Sequence, residues 1–347
     1  MHEVNFLTTH VGSVPHTSDE KLTMQLVDTL DIPAWPQLPK RDFKESMYVQ
    51  YSANLPAIKI DEINGKIYFD TTVDMAAALE KFYQPILEDD VDAFRLNPDY
   101  ARGYYHFLES LRKKPGIWVK GQVTGPISFG LTVTDQGLRA SLYDDQLCDV
   151  IVKNAAMHAR WQARQFKALR PNVIIFTDEP YLASFGSAFI NLSREQVTNM
   201  LDEVFSAIHS EGGLAGVHCC ANTDWGLLLT TQVDVLNLDA YGYLENLSLY
   251  PAELRSFLDR GGIVCWGIVP NSEDIRKVTA NELAKRLRIG LKMIADKAKG
   301  RGVQIKMDDF IQRSLISPAC GMGSTSVEIC DEVFNKLVLT GEILKKG

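Results

Sequence analysis

The sequence predicts an α/β protein in which residues 1–347 form a single (β/α)8 TIM barrel domain. Eight short, apolar, β-branched runs alternate with long amphipathic stretches, which is the pattern of a parallel sheet covered by helices. The length of 347 residues also suits one eight-stranded barrel better than two open sheets. In chain order, the predicted strands are Val4–Val11, Asp92–Leu96, Ile117–Val123, Val173–Thr177, Leu214–His218, Val233–Asp239, Ile263–Ile268 and Ser314–Ser317.

The stretches between these strands have apolar residues at helical spacing. The clearest predicted helices are Asp149–Leu169, Ser193–Ser210 and Ala280–Lys297. The chain has no GxGxxG motif at the start of a helix and no GxxxxGK[ST] motif. Dinucleotide-binding and P-loop folds therefore lose their main sequence support, and the barrel remains the predicted fold.

A long excursion, residues 15–91, separates the first two predicted strands. It contains a Pro-rich piece and two alternating runs, Ala57–Ile60 and Lys66–Phe69, on either side of Asn64-Gly65. Asn-Gly between alternating runs is a strong signal for a β-hairpin. We therefore expect residues 15–91 to be an insertion that decorates the barrel, with a hairpin inside it.

Composition and charge exclude several classes of partner. The chain has 36 basic and 44 acidic side chains and a net charge of −8, without a long run of Lys and Arg, so we expect no nucleic-acid partner. No apolar stretch reaches the roughly 18 residues of a membrane span, and no signal-peptide pattern begins the sequence, so we expect no membrane association. Six irregularly spaced cysteines are typical of reduced thiols, which leads us to expect a cytoplasmic protein.

The sharpest group of candidate metal ligands is His218, Cys220 and Cys320. His218 and Cys220 are two residues apart at a strand end, so their side chains point the same way. Cys320 follows the eighth strand, which neighbours the first in a closed barrel. One imidazole and two thiolates suit Zn²⁺, and three protein ligands leave its fourth position open for catalysis. Asp239, at the end of the sixth strand, is a candidate for a displaceable oxygen ligand.

Two other strand ends are candidates for binding or catalysis, and each also has a simpler interpretation. Asp178 and Glu179 end the fourth strand, and two adjacent carboxylates are costly to bury without partners. They indicate either a functional pair or an ordinary turn before a proline. Gly12 and Ser13 form either a plain turn or a backbone nest that holds a carboxylate. Taken alone, the His-x-Cys pair also fits core packing, since cysteine is commonly buried.

Five short motifs at these strand ends resemble the catalytic half of cobalamin-independent methionine synthase. That family lies within a larger group that includes uroporphyrinogen decarboxylase and methylcobamide:thiol methyltransferases. The motifs are Thr8-Thr9-His10-Val11-Gly12-Ser13-Val14-Pro15, Thr124-Gly125-Pro126-Ile127, Asp178-Glu179-Pro180, His218-x-Cys220 and Pro318-x-Cys320-Gly321. The five motifs occur in the family's order and extend over nearly the whole chain, so we expect a stand-alone, single-barrel member of that family.

The resemblance implies a zinc-dependent methyltransferase acting on a thiol. Residues Gly12 and Ser13 are then expected to hold the carboxylate of an amino acid substrate, and Asp178 its amine. The zinc ligands implied by the family's pattern are His218, Cys220, Asp239 and Cys320.

The implied activity is transfer of a methyl group to homocysteine, which gives methionine. We expect Asp178, Glu179 and Asp239 to be the catalytic residues. One alternative is methylation of another thiol, similar to coenzyme M, by a methylcobamide. A second is an enzyme resembling uroporphyrinogen decarboxylase.

Three departures from the family's pattern bear on substrate and donor. The family's carboxylate ligand is usually Glu, where this chain has Asp239. The family's second acidic contact to the substrate amine has no assigned match, since Arg41–Met47 occupies that place. The folate-using enzyme has two barrels, whereas this chain has the length of one. The single barrel favours methylcobalamin or a corrinoid protein as the methyl donor, with methyltetrahydrofolate as the other candidate.

Overall fold

The computed structural model describes residues 4–187 and 190–346 and shows an α/β fold. The strands are β1 (Leu7–Thr8), β2 (Ile58–Asp61), β3 (Lys66–Phe69), β4 (Trp118–Thr124), β5 (Thr134–Asp135), β6 (Asn172–Asp178), β7 (Leu214–Cys219), β8 (Val235–Leu238), β9 (Ile263–Val269) and β10 (Ser314–Pro318). The helices are α1 (Glu20–Thr29), α2 (Met75–Leu87), α3 (Arg102–Lys113), α4 (Pro126–Thr132), α5 (Asp145–Lys167), α6 (Arg194–Ser210), α7 (Trp225–Thr230), α8 (Ala240–Tyr243), α9 (Pro251–Asp259), α10 (Ala280–Gly300), α11 (Met307–Gln312) and α12 (Val327–Lys345).

Seven of the strands form one curled parallel sheet, in the order β1-β10-β9-β8-β7-β6-β4. Every residue of β4 and β9 is buried, because helices cover the sheet and side chains fill its inner face. The register places Asp178 of β6 beside His218 of β7, and His218 beside Asn237 of β8. Since all seven strands are parallel, the residues at their carboxyl ends meet at one edge of the sheet.

An extended segment, residues 32–37, lies between the two edge strands of this sheet. Its first amide donates to the Thr8 carbonyl at 3.0 Å, and the Lys120 amide donates to the Pro33 carbonyl at 2.9 Å. The segment therefore contacts both β1 and β4. Pro33 and Pro36 have no N–H group, so a regular ladder cannot form along it. The described sheet thus has seven regular strands, where the sequence predicts eight.

The predicted second strand, Asp92–Leu96, is wrong. Val91–Phe94 is a turn of 3-10 helix, because the Asp90 side chain accepts a hydrogen bond from the Ala93 amide at 3.3 Å and caps the turn. The excursion, residues 15–91, was predicted to lie outside the sheet as a decoration. Part of it, residues 32–37, instead forms hydrogen bonds with the main sheet.

The predicted hairpin is present. Strands β2 and β3 pair antiparallel from Ile58 opposite Phe69 to Asp61 opposite Lys66, with Gly65 in the left-handed conformation at the turn. Strand β5 adds to β3 in parallel, so the hairpin belongs to a separate three-stranded sheet.

The three predicted long helices are confirmed as α5, α6 and α10, with ends shifted by at most a few residues. Capping explains two of the starts. Ser193 and Gln196 form a capping box at α6, and Thr279 and Glu282 form one at α10. None of the helices in the described part of the chain is long and apolar enough to cross a membrane.

Candidate metal centre and substrate cavity

A cavity of about 580 Å³ opens at the carboxyl ends of the sheet strands. Its lining comes from the ends of β6 and β7, from the segments that follow β1, β7 and β10, and from residues 37–48. Of the residues predicted for the site, those that line the cavity are Ser13, Asp178, His218, Cys220 and Cys320. The fold therefore brings together side chains that are more than three hundred positions apart in the sequence.

His218, Cys220 and Cys320 form a compact triad. Their ligand atoms, one imidazole nitrogen and two thiol sulfurs, all lie within 4.8 Å of one another. His218 is in β7 and Cys220 directly follows it, while Cys320 follows β10. In tetrahedral zinc sites, bonds of 2.0–2.3 Å separate neighbouring ligand atoms by about 3.3–3.8 Å. Small side-chain adjustments would therefore bring all three ligands to one ion.

The His218 ring is oriented to offer one nitrogen to this triad. Its Nδ1 lies 2.6 Å from the Asn237 side-chain oxygen. Its Nε2 is buried and has no hydrogen-bond partner within the described ranges. A buried imidazole nitrogen without a partner is costly in a structure with no metal, so the residues present fit a zinc ion.

The two thiols of the triad shift each other's pKa in opposite directions. A hydrogen bond from Cys320 and the nearby His218 lower the pKa of Cys220. The Cys220 sulfur raises the pKa of Cys320, and so does burial. Cys219, between His218 and Cys220 in the sequence, is fully buried and donates to the Ala221 carbonyl at 3.5 Å. Burial raises the pKa of Cys219 to about 12, which suits a core residue behind the site.

Asp239 lies near the triad but outside it. Its carboxylate caps α8, accepting a hydrogen bond from the Gly242 amide at 2.7 Å. Burial raises the pKa of Asp239, and Cys220 raises it further, so the carboxylate is close enough to feel the thiol charge. Its role as a zinc ligand stays a prediction.

The adjacent carboxylates Asp178 and Glu179 have different surroundings. Asp178 lines the cavity, and its Oδ1 is buried with no hydrogen-bond partner among the described residues. Burial raises the pKa of Asp178 to about 6, while His218 and Lys120 lower it. Asp178 therefore presents an unsatisfied acceptor to whatever occupies the cavity.

Glu179 points instead to the start of α4. It accepts hydrogen bonds from the Ile127 amide at 2.9 Å, the Ser128 amide at 2.7 Å and the Ser128 hydroxyl at 2.6 Å. Burial raises the pKa of Glu179 to about 7, and these bonds lower it. The geometry makes Glu179 a helix cap that holds α4 against β6.

Ser13 joins the first strand to the loop that carries Cys320. The Met322 amide donates to the Ser13 carbonyl at 2.8 Å, and the Gly323 amide donates to its hydroxyl at 3.3 Å. Gly12 has a φ of 153°, and a Cβ there would lie 2.8 Å from the Gln37 side-chain oxygen. Because residues with a side chain rarely adopt this φ, position 12 favours glycine.

Two cavity residues, Glu45 and Gln37, were not predicted from the sequence. Glu45 lies in the Arg41–Met47 stretch, is fully buried, and accepts a hydrogen bond from the Leu38 amide at 3.2 Å. Burial raises the pKa of Glu45 to about 7, and Arg41 lowers it. The sequence signal was only an i, i+4 Arg–Glu pair, which most often marks an exposed helix face.

A buried lysine beneath the cavity was also missed. Lys120 of β4 donates to the Val11 carbonyl at 2.6 Å and lies 4.3 Å from the centre of the Phe176 ring. Burial lowers the pKa of Lys120 to about 8, while Asp178 raises it. A single charged residue inside the apolar β4 run was the available signal, since a buried lysine needs partners.

The fold is similar to that of solved methyltransferases. A B12-independent methionine synthase from Shewanella sp. W3-18-1, solved in complex with selenomethionine, matches with a TM-score of 0.57 and 18% identity over 98% of both chains. A methyltransferase from Methanosarcina mazei matches with a TM-score of 0.57 and 12% identity, covering 99% of this chain and 94% of that one. No family model and no curated protein sequence matches the chain. These structural neighbours confirm, at the level of the fold, the resemblance predicted from the sequence motifs.

Proposed function

We propose that this protein is a zinc-dependent methyltransferase that methylates the sulfur of a small thiol, with homocysteine as the substrate. The observation that carries the proposal is the triad of His218, Cys220 and Cys320 at the wall of a 580 Å³ cavity. The fold shared with two methyltransferases supports the reaction class.

Different side chains of the cavity are proposed to bind the zinc ion and the substrate. A zinc ion held by His218, Cys220 and Cys320 would supply an open coordination position that stabilises the substrate sulfur as a thiolate. The reaction forms a bond between that sulfur and the methyl carbon while the bond from the carbon to its donor breaks. We propose that Asp239 is the exchangeable fourth ligand before substrate binds. Its second role, capping α8, keeps the carboxylate near the triad.

The groups facing the triad favour a substrate tail that carries an ammonium. Asp178 offers a buried oxygen that has no hydrogen-bond partner among the described residues, and Glu45, which also pairs with Arg41, offers a second buried carboxylate. Gln37 adds a neutral oxygen, and two successive hydrogen bonds set the orientation of its amide. Its amide nitrogen donates to Gln50 at 2.8 Å, and Gln50 donates to the Tyr100 carbonyl, which can only accept. Three acceptors around one space suit the amine of homocysteine.

The same lining argues against the two alternative substrates. Among the described residues around the cavity, Lys40 is the only lysine or arginine. A porphyrinogen with several carboxylates would need more cationic groups, and a sulfonate thiol has no ammonium to place against the acceptors of Asp178, Glu45 and Gln37. Ser13, whose hydroxyl lies beside the Gly321–Gly323 backbone, is left to donate to the single carboxylate of an amino acid.

The methyl donor is the open part of the proposal. We propose methylcobalamin or a corrinoid protein, with methyltetrahydrofolate as the competing donor. Chain length does not separate them, because the Shewanella protein described as B12-independent is covered over 98% of its chain by this one. Donor identity must therefore come from the assay.

The test uses purified wild-type protein, in which zinc is measured by mass spectrometry. Methionine formation is then followed with homocysteine and, in separate reactions, methylcobalamin, a methylated corrinoid protein or methyltetrahydrofolate. We expect about one zinc per chain and methionine with one of these donors. Replacing homocysteine with 2-mercaptoethanesulfonate should abolish turnover.

The matched variants are Cys220→Ser and Cys219→Ser. The first removes a ligand, and the second changes its buried neighbour while keeping a donor for the Ala221 carbonyl. We expect zinc and turnover to disappear only in Cys220→Ser. Wild-type protein without zinc, or Cys220→Ser with full zinc and full turnover, would overturn the proposal.

A further inference from the structure

Asn237 is a fully buried polar residue in β8, the strand next to β7. Its register partners are His218 of β7 on one side and Cys265 of β9 on the other. Its side chain makes three hydrogen bonds, to His218, to the Cys265 carbonyl and to the Ser317 hydroxyl of β10. One amide thus connects four neighbouring strands.

The partners of this amide determine which way it points. The Cys265 carbonyl, 2.8 Å away, can only accept, so the group facing it must be the Asn237 nitrogen. The same nitrogen lies 3.0 Å from the Ser317 hydroxyl, whose proton goes to the Pro318 carbonyl at 2.9 Å. Both hydrogens of the amide are therefore used on these two partners. The oxygen of Asn237 is left to face His218.

The geometry points to Asn237 as the positioning residue that sets the tautomer of His218 and so prepares the histidine for metal binding. The Asn237 oxygen, 2.6 Å from His218 Nδ1, can only accept, so Nδ1 must carry the proton. A free imidazole exchanges between its two neutral tautomers, whereas this contact selects one. Nε2 then keeps a free electron pair facing the two cysteines.

The same amide also aligns the two halves of the triad. Through Ser317 it is bonded to the strand that leads into Cys320, three residues later. The His218 side of the triad and the Cys320 side come from strands separated by β8 and β9 in the sheet. Asn237 therefore fixes both the proton position on His218 and the approach of β10, before any ligand binds. This inference rests on the proposed zinc site but not on methyl transfer.

The test reads the tautomer directly. Full-length protein with ¹⁵N-labelled histidine is prepared free of metal, and two-bond ¹H–¹⁵N correlation spectra are recorded in mildly alkaline buffer. We expect His218 to be in the Nδ1–H form in the metal-free wild type. An Nε2–H form of His218 in the wild type would overturn the inference whatever the variants show.

Two variants separate positioning from general stability. In Asn237→Leu the acceptor is gone, so the Nδ1–H form should no longer dominate, and zinc affinity against a competing chelator should fall about ten- to a hundredfold. In Ser317→Ala the Cys265 carbonyl still holds the amide, so the tautomer should be unchanged and zinc affinity should fall less than in Asn237→Leu. An Asn237→Leu protein that keeps both the Nδ1–H form and wild-type zinc affinity would contradict the inference.

The outcome is distinguishable from that of the proposed function. A protein that shows the expected tautomer and binds zinc but methylates no thiol would support the role of Asn237 and refute the proposed reaction. A protein with the Nε2–H tautomer that still methylates homocysteine would refute the role of Asn237 and support the proposed reaction.

Discussion

The cavity has two walls that are built in different ways. The metal wall consists of His218, Cys220 and Cys320 at the ends of regular parallel strands, where backbone ladders hold each position. The facing wall is residues 37–48, an irregular segment held by side-chain contacts such as the bond from the Leu38 amide to Glu45. In the proposed function the metal wall alone holds the zinc, whereas the substrate tail contacts residues of both walls, with Glu45 and Gln37 supplied by the facing wall. Each wall should be open to change without the other.

The largest expected effect comes from breaking the metal wall with Cys320→Ser. A serine hydroxyl is not deprotonated at neutral pH, so we expect zinc affinity to fall by about a hundredfold or more and methyl transfer to be lost. Zinc titration and the methylation assay measure both. The control is Cys148→Ser, a half-buried cysteine in α5 far from the cavity, which should keep both properties. Equal loss in the control would indicate general damage to the fold.

The facing wall is tested by Glu45→Gln. Losing a buried carboxylate from the ammonium site should raise KM for homocysteine roughly tenfold to a hundredfold, with zinc content unchanged. Steady-state kinetics beside a zinc measurement decide this. The exposed carboxylate Glu80 in α2, changed to Gln, is the control and should have no effect. Loss of zinc in Glu45→Gln would show that the two walls are not separable.

Glu45 also predicts a pH dependence with opposite signs for binding and stability. Because burial raises its pKa from 4.5 to about 7, the carboxylate forms, and kcat/KM rises, as the pH increases through about 7. The folded state holds this proton more tightly than the unfolded chain. The contribution of Glu45 to the free energy of unfolding is therefore full below pH 4.5 and is lost as the pH rises through about 7. Glu45→Gln should flatten both profiles.

Glu179→Gln sharpens the comparison, because Glu179 directly follows Asp178 of the cavity but its carboxylate points to α4 instead. Its carboxylate accepts three hydrogen bonds at the start of α4, and a glutamine nitrogen cannot accept from those donors. We expect the free energy of unfolding in urea to fall by about 1–3 kcal/mol, with zinc content and KM unchanged. Normal stability combined with lost turnover would instead support the catalytic role predicted from the sequence.

The smallest expected effect is that of Asp239→Asn. Asparagine can still cap α8, so stability should be retained while the charge beside the triad is removed. If Asp239 is the exchangeable ligand, zinc affinity should fall by roughly tenfold or less, and only in protein without thiol. The measurement is a zinc titration with and without homocysteine. Identical titrations of variant and wild type would remove Asp239 from the ligand set.

Local patterns predicted those parts of the fold that depend on neighbouring residues. Apolar spacing located α5, α6 and α10, and Asn64-Gly65 located the β2–β3 turn. The strand prediction failed at Asp92–Leu96, where a side-chain cap favours a turn of 3-10 helix. The strand prediction also missed residues 32–37. Their hydrogen bonds go to β1 and β4, which are distant in the sequence, and their prolines are more typical of a loop than of a strand.

The candidate site divides in the same way. The spacing of His218 and Cys220 was enough to place both on one side of a strand end, since strand residues alternate with a period of two. The amide of Asn237 and the carboxylate of Glu45 gave no such signal, because their partners come from other strands or from an irregular segment.

The sequence by itself determined the α/β class, the long helices, the hairpin and the side-chain chemistry available for a metal. These features follow from interactions between residues that are close together in the sequence, so a local pattern can predict them. Only the tertiary structure decided how close Cys320 lies to His218, that Asp178 faces the cavity while Glu179 caps a helix, and that Asn237 faces the imidazole. The curl of the sheet and the packing of distant segments set these distances, and no local pattern contains them.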